Sequence, residues 1–123
     1  MTIINNNVKL KNKKFKKITR YGKNIIHVKT NDIQCLSELD NGNFNGKIKI
    51  FDKYGNCFQG TYKNNKSKGY GLLISEYGNI CEGYFENSEL IKKCRIFQNN
   101  SNYLLNPSDF NYILKKLHNN IFY

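Results

Sequence analysis

The sequence predicts an all-β fold: a single twisted sheet of antiparallel β-hairpins in a meander, followed by a C-terminal amphipathic α-helix. Three observations lead there. Tyr54-Gly55-Asn56 returns 23 residues on as Tyr77-Gly78-Asn79, glycines and aromatics recur at the same offset, and the last segment abandons that pattern for helical spacing.

The offset pairs Phe58, Gly60 and Tyr62 with Cys81, Gly83 and Phe85, and backwards with Cys35, Ser37 and Leu39. Three units follow, 31–53, 54–76 and 77–99, the middle one regular and its neighbours drifting, as terminal repeats do. Glycine every few residues disfavours helix by about 1 kcal/mol each relative to alanine. The Ile, Leu, Phe and Tyr between Lys47 and Phe51, and between Tyr70 and Ser75, suit strands. Asp52 to Asn56 and Ser75 to Asn79 read as tight hairpin turns, with Gly55 and Gly78 supplying positive φ. Asn41-Gly42-Asn43 and the stretch Asn64 to Lys68 read as loops joining successive hairpins.

These residues resemble the MORN repeat, whose pattern runs aromatic, x, Gly, x, aromatic, two x, Gly, three x, Gly, x, Gly, six x, Gly. Phe58, Gly60, Tyr62, Gly69, Gly71 and Gly78 occupy their places in the middle unit, with Asn65 where glycine is usual. Asparagine also reaches the left-handed backbone region. The first unit keeps Gly42, Gly46 and Gly55, and the third keeps Gly83 and Phe85 but has Ser88, Lys92 and Cys94 at glycine positions. The resemblance implies a non-catalytic scaffold or adaptor that binds a partner segment along a groove, at a membrane or cytoskeletal structure. A second implied role is a regulatory or targeting subunit for an enzyme, since similar repeats accompany lipid kinases and lysine methyltransferases.

A chain of 123 residues, 39% hydrophobic, suits one small domain. No window approaches the roughly 18 continuous apolar residues that a membrane-spanning helix needs. The charge is uneven: residues 1–30 hold nine cations and no acid, most of the formal +11, while the remainder is nearly balanced. Residues 1–30 are therefore expected to form a basic arm, with Lys13, Lys14, Lys16, Lys17 and Arg20 at its centre. Such an arm meets anionic membrane, acidic protein surfaces or nucleic acid, or simply keeps the chain solvated. The balanced repeats disfavour nucleic acid. Cys35, Cys57, Cys81 and Cys94 lack the close spacing of a structural zinc site, and Cys35 and Cys81 fill the apolar slot that Phe58 fills in the middle unit. No metal and no cofactor are expected. His27 and His118 stand apart from any nucleophile motif, so no enzymatic activity is expected either. Cysteines without disulfide spacing point to a reducing, cytoplasmic location.

Residues 100–123 read as a linker and a helix. Asn106-Pro107-Ser108-Asp109 is a helix start. Phe110, Ile113, Leu114, Leu117 and Ile121 form one stripe, and Lys115, Lys116 and His118 are expected to complement the carboxyl end of the helix dipole. The stripe either covers this protein's own sheet or meets a partner.

With two-residue turns at Tyr54-Gly55 and Tyr77-Gly78, Phe51 would oppose Phe58, Lys49 Gly60, Lys47 Tyr62, Ile74 Cys81, Leu72 Gly83 and Tyr70 Phe85. Phe51, Phe58, Tyr62, Tyr70, Leu72 and Phe85 would then share one aromatic face, kept open by Gly60 and Gly83. A partner helix or extended peptide is expected to bind there. Ile48, Ile50, Cys57, Leu73 and Ile80 would line the reverse face. Gly46, Gly55, Gly60, Gly69, Gly71, Gly78 and Gly83 are the structural glycines of the repeat.

Overall fold

In the computed structural model, which describes residues 17–22, 24–99, 102 and 104–122, eight strands follow one another in an antiparallel meander, each paired with its sequence neighbours. They are β1 (Lys17–Tyr21), β2 (Ile25–Lys29), β3 (Ile33–Asp40), β4 (Asn43–Asp52), β5 (Cys57–Lys63), β6 (Lys66–Ile74), β7 (Ile80–Glu86) and β8 (Glu89–Phe97). One helix, α1 (Pro107–Phe122), follows.

From β3 to β8 two kinds of turn alternate, and both repeat at the 23-residue offset. At one end of the sheet, two-residue turns at Asn41-Gly42, Asn64-Asn65 and Asn87-Ser88 hold both residues at positive φ, 51° and 78°, 51° and 68°, 50° and 63°. This is type I′ geometry, whose twist matches the flanking strands and which Asn and Gly tolerate best. The loop expected from Asn64 to Lys68 is corrected accordingly: Lys66, Ser67 and Lys68 begin β6, and Lys66 pairs with Lys63.

At the other end lie three-residue loops, Lys53-Tyr54-Gly55 and Glu76-Tyr77-Gly78. The Asp52 N–H donates to the Asn56 carbonyl at 3.0 Å, and the Ser75 N–H to the Asn79 carbonyl at 2.8 Å. The Asp52 carboxylate accepts the N–H groups of Tyr54 (3.0 Å) and Asn56 (2.9 Å). Ser75 Oγ does the same for Tyr77 (3.3 Å) and Asn79 (3.2 Å). Asn56 Oδ1 accepts the Glu76 N–H at 2.7 Å, tying one loop to the next. Gly55 and Gly78, at φ 104° and 85°, end the loops in the left-handed region, as three-residue hairpins require.

The expected two-residue turns at Tyr54-Gly55 and Tyr77-Gly78 are thus each one residue too short, and the pairing moves by one. Phe58 opposes Ile50, not Phe51; Gly60 opposes Ile48; Tyr62 opposes Gly46. Cys81 opposes Leu73, Gly83 opposes Gly71, and Phe85 opposes Gly69. Because side chains alternate with period two, a one-residue slip exchanges the faces.

One face now carries Ile26, Val28, Cys35, Ile48, Ile50, Phe58, Tyr62, Leu73, Cys81 and Phe85, all buried. Helix α1 covers it with Phe110, Leu114, Leu117, Ile121 and Phe122, so the expected stripe packs on the protein's own sheet. Burying each such side chain contributes about 1.5–3 kcal/mol. Asn106 caps the helix: its Oδ1 accepts the Asp109 N–H at 3.0 Å, while Asp109 Oδ2 accepts the Asn106 N–H at 2.9 Å. Lys115, Lys116 and His118 do not serve the carboxyl end as expected, because the helix runs on to Phe122 and its last turn holds no basic residue.

The glycines serve this core. The β3–β4 and β5–β6 pairings shift register where Gly46 and Gly69 lie, at φ 109° and 113°, values only glycine adopts without strain. Gly60 and Gly71 do not open a groove. The Phe58 ring lies over both, and a Cβ would come within 2.6 Å of it at Gly60 and 2.9 Å at Gly71. Gly83 is equally closed by Leu90 and the Lys92 carbonyl.

Part of the expected basic arm, residues 1–30, is strand. Lys17–Tyr21 and Ile25–Lys29 pair as β1 and β2, with Ile26 and Val28 in the core. Lys17 and Arg20 belong to β1, and Lys13, Lys14 and Lys16 lie outside the described residues.

Leu114→Asp places a charge among Phe110, Leu117 and the sheet, and should cost about 3–5 kcal/mol in chemical denaturation. Tyr112→Asp, on the exposed side of the same helix, should stay within about 0.5 kcal/mol of the native chain. Equal stability of the two variants would mean that α1 does not cover the sheet.

Candidate functional site

The face opposite α1 has no cover among the described residues. Cross-strand pairing arranges it in rows. One row runs His27, Leu36, Lys49, Gln59, Leu72, Glu82 and Arg95; another runs Gln34, Phe51, Cys57, Ile74, Ile80 and Phe97. A further row brings Lys47 opposite Thr61 and Tyr70 opposite Tyr84.

Strands β2 to β6 enclose a concave hollow of ≈ 610 Å³ on this face. Ile25, Leu36, Tyr70 and Leu72 form its apolar walls, and Lys47, Lys49, Gln59 and Thr61 cross its middle. Ile25, Leu36 and Tyr70 are 40%, 46% and 45% exposed, high values for apolar side chains in the interior of a sheet. Tyr70 is held by its neighbours: its hydroxyl donates to the Glu82 carboxylate, and its ring meets that of Tyr84 edge-on at 5.8 Å. The hydrogen bond raises the Tyr70 pKa and lowers that of Glu82, which also accepts from Arg95 Nε at 3.3 Å. Lys49 Nζ stands 5.9 Å from the Phe51 ring centroid.

The structure divides the six expected partner-binding residues. Phe51, Tyr70 and Leu72 lie on the open face, as do Cys57 and Ile80, which were expected on the reverse. Phe58, Tyr62 and Phe85 lie beneath α1, together with Ile48, Ile50 and Leu73. Phe58 meets Phe85 edge-on at 5.4 Å, and Tyr62 stacks with Phe122 at 6.2 Å. These aromatics form a groove whose occupant is the chain's own helix. Lys47 and Lys49, expected opposite Tyr62 and Gly60, oppose Thr61 and Gln59 on the open face. Ile25 and Leu36 were assigned to no face, although for Leu36 a signal existed: the offset that aligns Cys35 with Phe58 also aligns Leu36 with Gln59, and so puts it on the face opposite that slot.

Beneath the helix, a hydrogen bond joins Tyr62 Oη to His118 Nδ1 at 2.7 Å. Burial pushes the His118 pKa down to about 4, with the Lys66 charge adding to the shift, and burial raises that of Tyr62. The imidazole is therefore neutral in the folded protein at neutral pH. Among the described residues, no group of three His, Cys, Asp or Glu side chains is placed to hold a metal, and no helix is long and apolar enough to cross a membrane.

Compared with known proteins, the chain matches no family model, and no curated protein is significantly similar to it.

The lowered His118 pKa carries a sign. Unfolded, the imidazole binds a proton near its ordinary 6.5; folded, only near 4. The unfolded state thus holds more protons between those values, and stability present above pH 6.5 should be lost progressively as pH falls toward 4. Urea titrations at pH 7 and pH 4.5 should show a loss of about 2 kcal/mol that His118→Leu largely removes. The same loss in that variant would show that His118 is not the titrating group.

Proposed function

We propose that this chain is a non-catalytic scaffold, a MORN-like repeat module whose open sheet face holds a partner protein at a membrane or cytoskeletal structure. What carries the reading is the uncovered hollow, where Ile25, Leu36, Tyr70 and Leu72 stay accessible on a rigid sheet whose opposite face is already filled by α1. A soluble fold gains nothing from exposing neighbouring apolar side chains, and such patches mark interaction sites. The site differs from the aromatic groove that the repeat pattern implies, because that groove is closed in cis. Phe51, Tyr70 and Leu72 remain recognition residues in this proposal; Phe58, Tyr62 and Phe85 hold the sheet to its helix.

The test is affinity capture with the immobilised full chain and with Leu36→Ser/Leu72→Ser, both checked for folding by circular dichroism, followed by identification of retained proteins. The double variant should lose a specific partner that the native chain retains. Recovery of the same proteins at the same levels by both would contradict the reading.

A further inference from the structure

The hollow has a charge pattern as well as a shape, and that pattern bears on what it takes. The protein's own acids are nearly all engaged. Asp32 pairs with Lys53 at 2.9 Å, Glu82 with Arg95 at 3.3 Å, Glu89 with Lys115 at 3.4 Å, and Glu86 with Lys68. Asp52 holds the loop N–H groups and Asp109 the helix cap. Glu38 borders the hollow, but its carboxylate turns to the bulge at Gly46, where Oε1 accepts the Lys47 backbone N–H at 2.6 Å. Lys47 and Lys49 are left at the centre with no ion pair among the described residues. Leu36 and Ile25 stand on one side of them, Leu72 and Tyr70 on the other.

Resting on the open-face reading above, we propose that the hollow docks an acidic amphipathic α-helix of the partner. Two unpaired ammonium groups between apolar walls call for carboxylates between apolar side chains. Docking on the face of a sheet offers no strand edge for a peptide backbone to pair with, so the incoming segment must satisfy its own N–H and C=O groups, as a helix does. Leu36 on β3 and Leu72 on β6 are three strand spacings apart, about 14 Å at ~4.8 Å each. A helix spans that distance in roughly 10 residues. The expected ligand therefore carries apolar side chains about 10 residues apart on one face, with Asp or Glu between them. Charge of opposite sign also steers approach, making the association sensitive to salt.

The experiment is selection of random 16-residue displayed peptides on the immobilised full chain, with fluorescence anisotropy of individual winners. Winners should carry an excess of Asp and Glu flanked by apolar residues. They should lose at least tenfold in affinity for Lys49→Glu and for Leu36→Ser, and a matched acid-to-Lys exchange in the peptide should restore binding to Lys49→Glu. Winners without an acid excess, or acidic winners indifferent to both variants and so seated on the basic segment before β2, would overturn the inference. Binding of phosphatidylserine vesicles that Lys49→Glu abolishes, with no peptide winners, would assign the face to lipid instead. A captured partner lost by Leu36→Ser/Leu72→Ser but bound unchanged by Lys49→Glu would remove the acidity while leaving the open face as docking surface.

Discussion

The hydrogen bonds from Asp52 N–H to the Asn56 carbonyl and from Ser75 N–H to the Asn79 carbonyl settle more of this structure than their size suggests. Each closes a loop of three residues rather than two. That single residue sets the parity of the hairpin, and parity decides which side chains meet the helix. With three, Phe58, Tyr62, Leu73, Cys81 and Phe85 turn together toward α1, leaving Lys47, Lys49, Leu36 and Tyr70 on the other side. Two would have buried the lysines under the helix, at a desolvation cost no contact there offsets.

The repeat can be understood as the minimum needed to hold that parity over successive hairpins. Asp52 and Ser75 occupy equivalent places and accept the same pair of loop N–H groups, one with a carboxylate and the other with a hydroxyl. Gly46 and Gly69 absorb the extra residue of each bulge in a conformation other residues resist, and at the third equivalent place, Lys92, the β7–β8 register instead shifts in two steps. Gly60 and Gly71 make room for one phenyl ring. At the far end, Ser67 Oγ takes the Ser88 N–H at 2.7 Å and Asn65 Oδ1 takes the Phe44 N–H at 2.7 Å, so neighbouring turns brace one another. Glycine and aromatic recur because ring and vacancy are parts of one packing unit.

Much of this was legible in the residues. The 23-residue offset led to the hairpins β4–β5 and β6–β7, Asn106 and Asp109 marked the helix start, and helical spacing picked out Phe110, Leu114, Leu117 and Ile121. Cys35, Phe58 and Cys81 share one buried slot, as their alignment implied. What escaped was loop length, because Tyr-Gly-Asn is compatible with loops of two or three residues and only the capping by Asp52 or Ser75 selects the longer. The β1–β2 hairpin also escaped, since its lysines dominate the composition while Ile26 and Val28 carry the burial. The open face was half legible: Phe51, Tyr70 and Leu72 were expected on one face and do share the open one, whereas parity moved Phe58, Tyr62 and Phe85 beneath the helix and left aliphatic and basic residues in their place.

A fold so arranged keeps the packing of the core apart from the open face. The covered face supplies stability, and the open face is free to vary in charge and shape without touching the core. The central claim is the assignment of faces, and side-chain NOESY spectra of the labelled full chain test it most directly. The account predicts contacts from the Tyr62 ring to the rings of His118 and Phe122, and from Phe58 to Phe85. Contacts from Phe58 or Tyr62 to Phe51 or Tyr70, in place of those, would contradict it.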